Sequence, residues 1–352
     1  MNRLALATRS ALLRAWWRLR TLHVPHTSER IAPVGGSGLA YDGFGPANAP
    51  PVLLIAGFGQ QMIGWDDSFC ALLAARGFRV IRFDNRNMGH SAKLSAPGAR
   101  EGRALFKAWA HFHPARWLGP VSGTHVYTLR DMADDAAGLL AALGIESAHV
   151  VGISMGGMIG QLLAIHHAAR VRTLTSISST TGDPVLGRPN QTVLWKLLTP
   201  TPQEGEAYVD HAIKLWRLLR GTDDAVEDAV ERDRARRMLK RSVSVEAVRR
   251  QLIAVIRSRT WKSKLASITA PTLVIHGERD PLIPVEAGRD TARTAPNAKL
   301  LLLSDLGHAL PASSWRRITA AIARHARRFE DTRAEQPAKS IAPPPPQAER
   351  NL

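Results

Sequence analysis

Short apolar runs alternate with amphipathic stretches over most of this chain, as they do where strands and helices take turns. Val52-Leu53-Leu54-Ile55 is apolar at every position, the pattern of a strand buried on both faces. Helical periodicity follows over residues 69–76, then a strand over Arg79-Val80-Ile81-Arg82-Phe83. A helix over residues 129–143 leads into the strand Ala148-His149-Val150-Val151, and a helix over 156–167 leads to a strand over 173–177. Residues 272–275 and 299–302 read as two more strands. Upstream, Ser37-Gly38 reads as the turn between two short strands ending near Tyr41. Elements at this spacing predict an α/β fold: a mostly parallel, doubly wound sheet with helices on both faces.

One stretch breaks the rhythm. Residues 184–265 hold four helical patterns, at 193–198, 206–219, 224–239 and 245–256, and no convincing strand. Charges of both signs alternate there, as on solvated helix faces. The segment reads as a helical cap inserted into a core formed by residues 29–183 and 266–328. Residues 1–28 form a separate basic element: Leu4, Ala11, Leu12, Ala15, Trp16 and Leu19 share one helical side, with Arg3, Arg14 and Arg18 opposite. Residues 3–23 therefore suit either peripheral contact with a membrane or docking on protein. Residues 329–352 are polar, include Pro343 to Pro346, and are expected to be a disordered tail.

Composition narrows the function classes. The chain has 352 residues, enough for one domain with an insertion, and carries a net charge of +17. That excess is mostly arginine spread along the whole chain, with no nucleic-acid-binding motif, so nucleic acid is not expected as a partner. The single cysteine, Cys70, can form no internal disulfide and is expected to be a small buried apolar residue. With no spanning segment and no secretory signal, the expected location is cytoplasmic.

The chemistry concentrates at Gly152-Ile153-Ser154-Met155-Gly156. It lies directly between an apolar strand and a helix, the setting of a nucleophile elbow, in which side chains in place of the glycines would collide with neighbours. A serine hydroxyl needs a base to take its proton. His308 is the candidate, in a polar loop after the last strand; His276, at a strand end, is the rival, while His149, His166 and His167 read as solvated or capping residues. Asp280, past the penultimate strand, is the candidate to orient the base, with Asp183 and Asp305 as alternatives. Two backbone amides would complete an oxyanion hole: that of Met155, and that of Phe58 in Ala56-Gly57-Phe58-Gly59-Gln60. Trp65 is a candidate for substrate contact, and Met155 and the cap's apolar residues are candidates for the pocket lining.

The elbow, the turn Asp84-Asn85-Arg86-Asn87-Met88-Gly89-His90-Ser91, the segment at Asp280 and Gly307-His308 together resemble the α/β-hydrolase superfamily over about residues 30–328. Leu54-Ile55-Ala56-Gly57-Phe58-Gly59-Gln60-Gln61-Met62-Ile63-Gly64-Trp65 is similar to bacterial esterases of the aclacinomycin methylesterase type. The resemblance implies hydrolysis of methyl or other small alkyl esters on bulky apolar substrates, without cofactor or metal. It also implies a structural role for Asp84 and Arg86. Many relatives carry His where Ala56 stands, so the supports of the oxyanion loop must differ. The same triad could serve C–C bond hydrolysis, lactone opening or perhydrolysis, and a non-catalytic binding protein is the reading outside enzymes. Oligomeric state is not legible from the chain.

Overall fold

The computed structural model describes residues 24–93, 127–186, 189–198, 202, 204–221 and 224–335. The expected amphipathic helix at 3–23 and the proline run at 343–346 lie outside those residues. Among the described residues, no helix is long and apolar enough to cross a membrane.

Eight strands form one sheet: β1 (His26–Val34), β2 (Ser37–Phe44), β3 (Pro51–Ile55), β4 (Arg79–Phe83), β5 (Ala148–Ile153), β6 (Val171–Ile177), β7 (Thr272–Gly277) and β8 (Lys299–Leu303). Their spatial order is β1-β2-β4-β3-β5-β6-β7-β8. Strand β2 runs antiparallel to both its neighbours, β1 and β4, and all the other pairs are parallel. The opening hairpin differs from expectation. Its turn is Gly35-Gly36, both at positive φ, rather than Ser37-Gly38, and its strands are longer than the apolar pattern suggested.

Helices α1 (Asp67–Ala74), α2 (Leu129–Ala142), α3 (Met155–His166), α8 (Val285–Thr294) and α9 (Trp315–Glu335) surround the sheet. Strand β3 shows why its run had to be wholly apolar: Leu53 and Ile55 pack into one core with α2 and α3, and Val52 and Leu54 into the other with α1 and α9. Helix α9 continues past Arg328 to Glu335, so the folded part extends into the segment read as tail.

Between β6 and β7 lie α4 (Gln191–Leu198), α5 (Gly205–Arg220), α6 (Ala225–Arg241) and α7 (Val245–Arg257). Helix α6 corrects the expectation that its charges are solvated. Glu227, Glu231 and Arg234 are buried, each no more than 5% exposed, because their four- and three-residue spacing turns them together toward the core. Arg232 and Arg236, on the other side, reach Glu206 and Asp210 in exposed pairs. The buried stripe bolts the insertion to the core. Arg234 Nη1 donates to Gly64 O at 3.1 Å, Arg241 pairs with Asp84, and Gln61 Nε2 donates to Met238 O and Ser242 O at 2.9 and 2.6 Å.

Strand order also explains the position of the site. The chain leaves β3 toward β4 on one side and returns as β5 on the other, a switch point where the loops at the carboxyl ends diverge. The loop after β3 and the turn after β5 therefore face each other across the crevice.

Candidate active site

Strand β5 ends at Ile153 and α3 begins at Met155, so Ser154 alone makes the turn. Its backbone lies at φ 54°, ψ −120°, a strained region for any residue with a side chain. Its N–H donates to Ile177 O at 2.8 Å, while its carbonyl accepts from Gly157 N and Ser179 Oγ at 2.9 and 2.8 Å. The flanking glycines are obligatory. A Cβ on Gly152 would lie 2.1 Å from Gly156 O, and one on Gly156 would lie 2.1 Å from Ile55 O.

His308 Nε2 lies 3.0 Å from Ser154 Oγ, and its Nδ1 lies 2.8 Å from Asp280 Oδ2. The loop after β8 is held from above by the end of α5, where Leu219 O accepts from the amides of His308 and Ala309 at 2.8 and 3.3 Å. Gly307 is where the two segments press together: a Cβ there would meet Leu219 O and Arg220 O at 2.5 Å. The insertion thus helps to place the imidazole.

The side chain of Asp280 is fully buried, and its Oδ1 accepts from the amides of Leu282 and Ile283 at 2.9 Å each. Burial pushes this carboxyl up, but His308 and His276 outweigh it and hold the group well below the usual carboxylate range. An anionic Asp280 accepts the Nδ1 proton of His308, which leaves Nε2 unprotonated toward the Ser154 hydroxyl.

The loop after β3 turns back through a bond from Gln60 N to Gly57 O at 3.2 Å, with Gly59 at φ 69°. That bond closes the turn without using the Phe58 amide. A Cβ on Gly57 would lie 3.5 Å from Ser154 Cβ, so this backbone runs against the serine. The Met155 N–H is the first of α3, where an amide has no helical carbonyl to bond. Where Ala56 replaces the expected His, the supports come from elsewhere: Asn85 Nδ2 donates to Ala56 O at 3.2 Å, and Gly59 N donates to Gln251 Oε1 on α7 at 2.8 Å.

Ser154 and His308 open on a cavity of about 110 Å³, bounded by Phe58 and Trp65 on the core side and by Leu215, Trp216 and Leu219 from the insertion. The side chain of Met155 is not part of this lining; it is buried in the core.

The rival residues have other partners. His276 Nε2 lies 3.1 Å from Ile283 O and 3.5 Å from Asp280, so it buttresses the carboxylate from behind. Asp183 caps the turn at Val185 and Leu186 and pairs with Lys262. Asp305 pairs with Arg317 at the surface. His149, expected to be solvated, is 1% exposed, with Nδ1 2.9 Å from Thr173 Oγ1. The strand it begins is central, so even its first residues are covered. Asp84 ties loops together, accepting from the amides of Met62 and His90 at 2.6 and 2.9 Å, and Arg86 pairs with Asp135. Gln251 and Arg234 were missed by sequence reasoning, since nothing in a helical charge pattern marks such contacts, and His276, read as a rival base, supports Asp280 instead. Among the described residues, no group of three or more His, Cys, Asp or Glu side chains is arranged to hold a metal.

The model of the α/β-hydrolase fold family matches residues 50–312, most of the chain, including the loops that carry Ser154, Asp280 and His308. The chain belongs to this family. Among its hydrolase relatives is rhodomycin D methylesterase DauP of Streptomyces sp. (strain C5), 29% identical, with 81% of this chain and 94% of that protein covered. A 2-hydroxy-6-oxononadienedioate/2-hydroxy-6-oxononatrienedioate hydrolase of Cupriavidus pinatubonensis is 27% identical, covering 74% of this chain and 81% of that one. Among solved structures, the enol-lactonase of Burkholderia xenovorans superposes with a TM-score of 0.62 at 23% identity, over 86% of this chain and 100% of its own. That last likeness is one of fold.

Proposed function

We propose that this hydrolase cleaves carboxylic esters, small alkyl or methyl esters of apolar substrates, through Ser154, His308 and Asp280. The observation that carries this reading is the continuous relay from Ser154 Oγ through His308 to buried Asp280, at the floor of a largely apolar cavity. Ser154 Oγ attacks the ester carbonyl while His308 Nε2 takes its proton. The amides of Phe58 and Met155 face the oxygen that becomes negative. The C–O bond to the alcohol then breaks, and the alkoxide leaves with the proton from His308. Water attacks the acyl-enzyme by the same route, releasing the acid and restoring the serine. Each step needs only groups already in the cavity and water. The likeness to DauP supports methyl esters in particular.

A second reading is hydrolysis of a C–C bond by the same residues, favoured by the likeness to the Cupriavidus hydrolase. The two readings share the serine and differ in the substrate.

A fluorophosphonate probe tests the shared step. Labelling of the wild type that disappears in Ser154→Ala and His308→Ala is the expected result. A folded wild type that neither labels nor turns over a methyl-ester panel would overturn the assignment and leave a binding protein on this scaffold. Labelling with turnover of vinylogous diketones but of no ester would favour the second reading.

A further inference from the structure

The loop after β3 carries the Phe58 amide, and its own backbone does little to hold that amide still. Residues 57–60 make a turn closed by the bond from Gln60 N to Gly57 O at 3.2 Å. With Gly59 at φ 69° and Phe58 not at positive φ, the turn is of type II. Its central peptide, between Phe58 and Gly59, takes no part in the closing bond. Turning that peptide over converts the turn toward type I, and glycine at position 59 is at ease in either form. Asn85 Nδ2 secures only the entry of the loop, at Ala56 O. The central peptide is held from the insertion instead: Gly59 N donates to Gln251 Oε1 at 2.8 Å.

Gln251 is fully buried, and among the described residues its Nε2 has no hydrogen-bond partner. The orientation of the carboxamide is forced, because an N–H can meet only the oxygen, and the NH₂ is left over. Such a group carries a desolvation cost that a methionine of similar volume would avoid. Packing therefore does not account for a glutamine here, whereas the bond made by its oxygen does. The helix beneath it is firm. Ile253 and Ala254 are buried beside Gln251, and just past the end of α7 Ser258 Oγ accepts from Leu129 N of α2 at 2.8 Å.

We propose that Gln251 is a positioning residue: its side-chain oxygen fixes the Phe58–Gly59 peptide, and so sets the Phe58 N–H for the oxygen that becomes negative at Ser154. The assignment rests on Ser154 as the nucleophile and on the Phe58 amide as an oxyanion donor. A donor of this kind stabilises the transition state only if it is aimed beforehand. The insertion would then set both partners of the serine, the donor through Gln251 and the base through Leu219 O, which accepts from the His308 amide.

Three full-length variants test this. Gln251→Met keeps the volume and removes the acceptor, Gln251→Glu keeps an oxygen on the same stem, and Ile253→Val loosens the same helix without touching the loop. Kinetics are read on a methyl ester, with an alkyl boronic acid as inhibitor, whose tetrahedral adduct on serine also presents an oxygen to the Phe58 and Met155 amides. Gln251→Met is expected to lower kcat by about tenfold to a hundredfold, less than the loss of a whole donor. KM should stay within about twofold, while the boronic acid weakens in step with kcat. Gln251→Glu should recover part of that loss, and Ile253→Val should lower the melting temperature with kcat unchanged. Amide hydrogen exchange followed by NMR on the ligand-free proteins reads the anchor without chemistry: Gly59 should exchange about tenfold faster or more in Gln251→Met. A folded Gln251→Met protein with wild-type kcat would overturn the proposal, as would a loss carried by KM or an equal loss in Ile253→Val. Unchanged exchange at Gly59 with full turnover would also overturn it and leave Ser154 as the nucleophile. Faster exchange at Gly59 beside a wild type that turns over no ester and takes no boronic acid would retire the reading of Ser154 and, with it, the role of Gln251 in catalysis.

Discussion

Replacing Asp280 by Asn removes one charge and changes almost no volume, so its effect can be worked out from four contacts. Oδ1 accepts from the amides of Leu282 and Ile283, while Oδ2 faces His308 Nδ1 at 2.8 Å and His276 Nε2 at 3.5 Å. The new amide can lie two ways. With its oxygen toward His308, the NH₂ confronts two backbone N–H groups, leaving both buried donors unsatisfied at about 1–3 kcal/mol each. With its oxygen kept on those amides, the NH₂ faces His308 Nδ1 and, at the longer distance of 3.5 Å, His276 Nε2, and the His308 imidazole escapes the closer clash by shifting its proton to Nε2. The second arrangement wins. It also places an N–H, instead of a lone pair, 3.0 Å from Ser154 Oγ. The base is then lost although every heavy atom stays in place. For serine triads a tautomer error of this kind costs about 10⁴-fold in kcat, or about 5 kcal/mol of transition-state stabilisation. Steady-state kinetics on an ester that the wild type turns over, with a thermal melt to confirm folding, measures it. A loss below about tenfold in a folded Asp280→Asn protein would refute the orienting role. Asp183→Asn, which breaks a contact to Lys262 remote from His308, is the matched control and is expected to leave kcat unchanged.

Two further outcomes follow from packing and charge. Gly156→Ala places a methyl group 2.1 Å from the carbonyl of Ile55, a strand atom that cannot move aside; a loss of about 3 kcal/mol or more in urea unfolding is expected, with reduced serine labelling, and a neutral substitution would show that the turn is looser than described. Burial, chiefly, lowers the His149 pKa from 6.5 to about 4. Below pH 6.5 the unfolded chain therefore binds a proton that the folded one refuses, and stability falls toward pH 4 by up to about 3 kcal/mol. Urea unfolding of wild type and His149→Gln across that window should show a steeper acid loss in the wild type, and parallel curves would exclude this source.

Much of the architecture was legible because strands and helices impose different periods on apolar side chains. The run at Val52–Leu53–Leu54–Ile55 must serve two cores and so is apolar throughout. The three candidate residues were legible for a related reason. A parallel sheet delivers the carboxyl ends of β5, β7 and β8 to one edge, so Ser154, Asp280 and His308 could be picked from the loops that follow those strands. The hairpin turn was misplaced because two adjacent Gly-containing pairs, Gly35-Gly36 and Ser37-Gly38, compete locally, and only strand pairing selects between them.

What tertiary structure alone decided lies in the insertion. Its four helices were apparent from periodicity, but which charged residues face inward depends on how α6 lies on the core. Local sequence carries no record of that. Glu227, Glu231 and Arg234 looked like any solvated stripe, yet they are buried and in contact with the wall or loops of the site. Gln251 reaches the loop after β3 across 192 positions of chain, and Leu219 holds the His308 loop from a helix that precedes it by 89. Such contacts depend on two surfaces meeting, and no pattern within either segment encodes the other. The sequence alone therefore determined the candidate triad and the sheet that gathers it, while the shape and polarity of the cavity were decided by long-range packing.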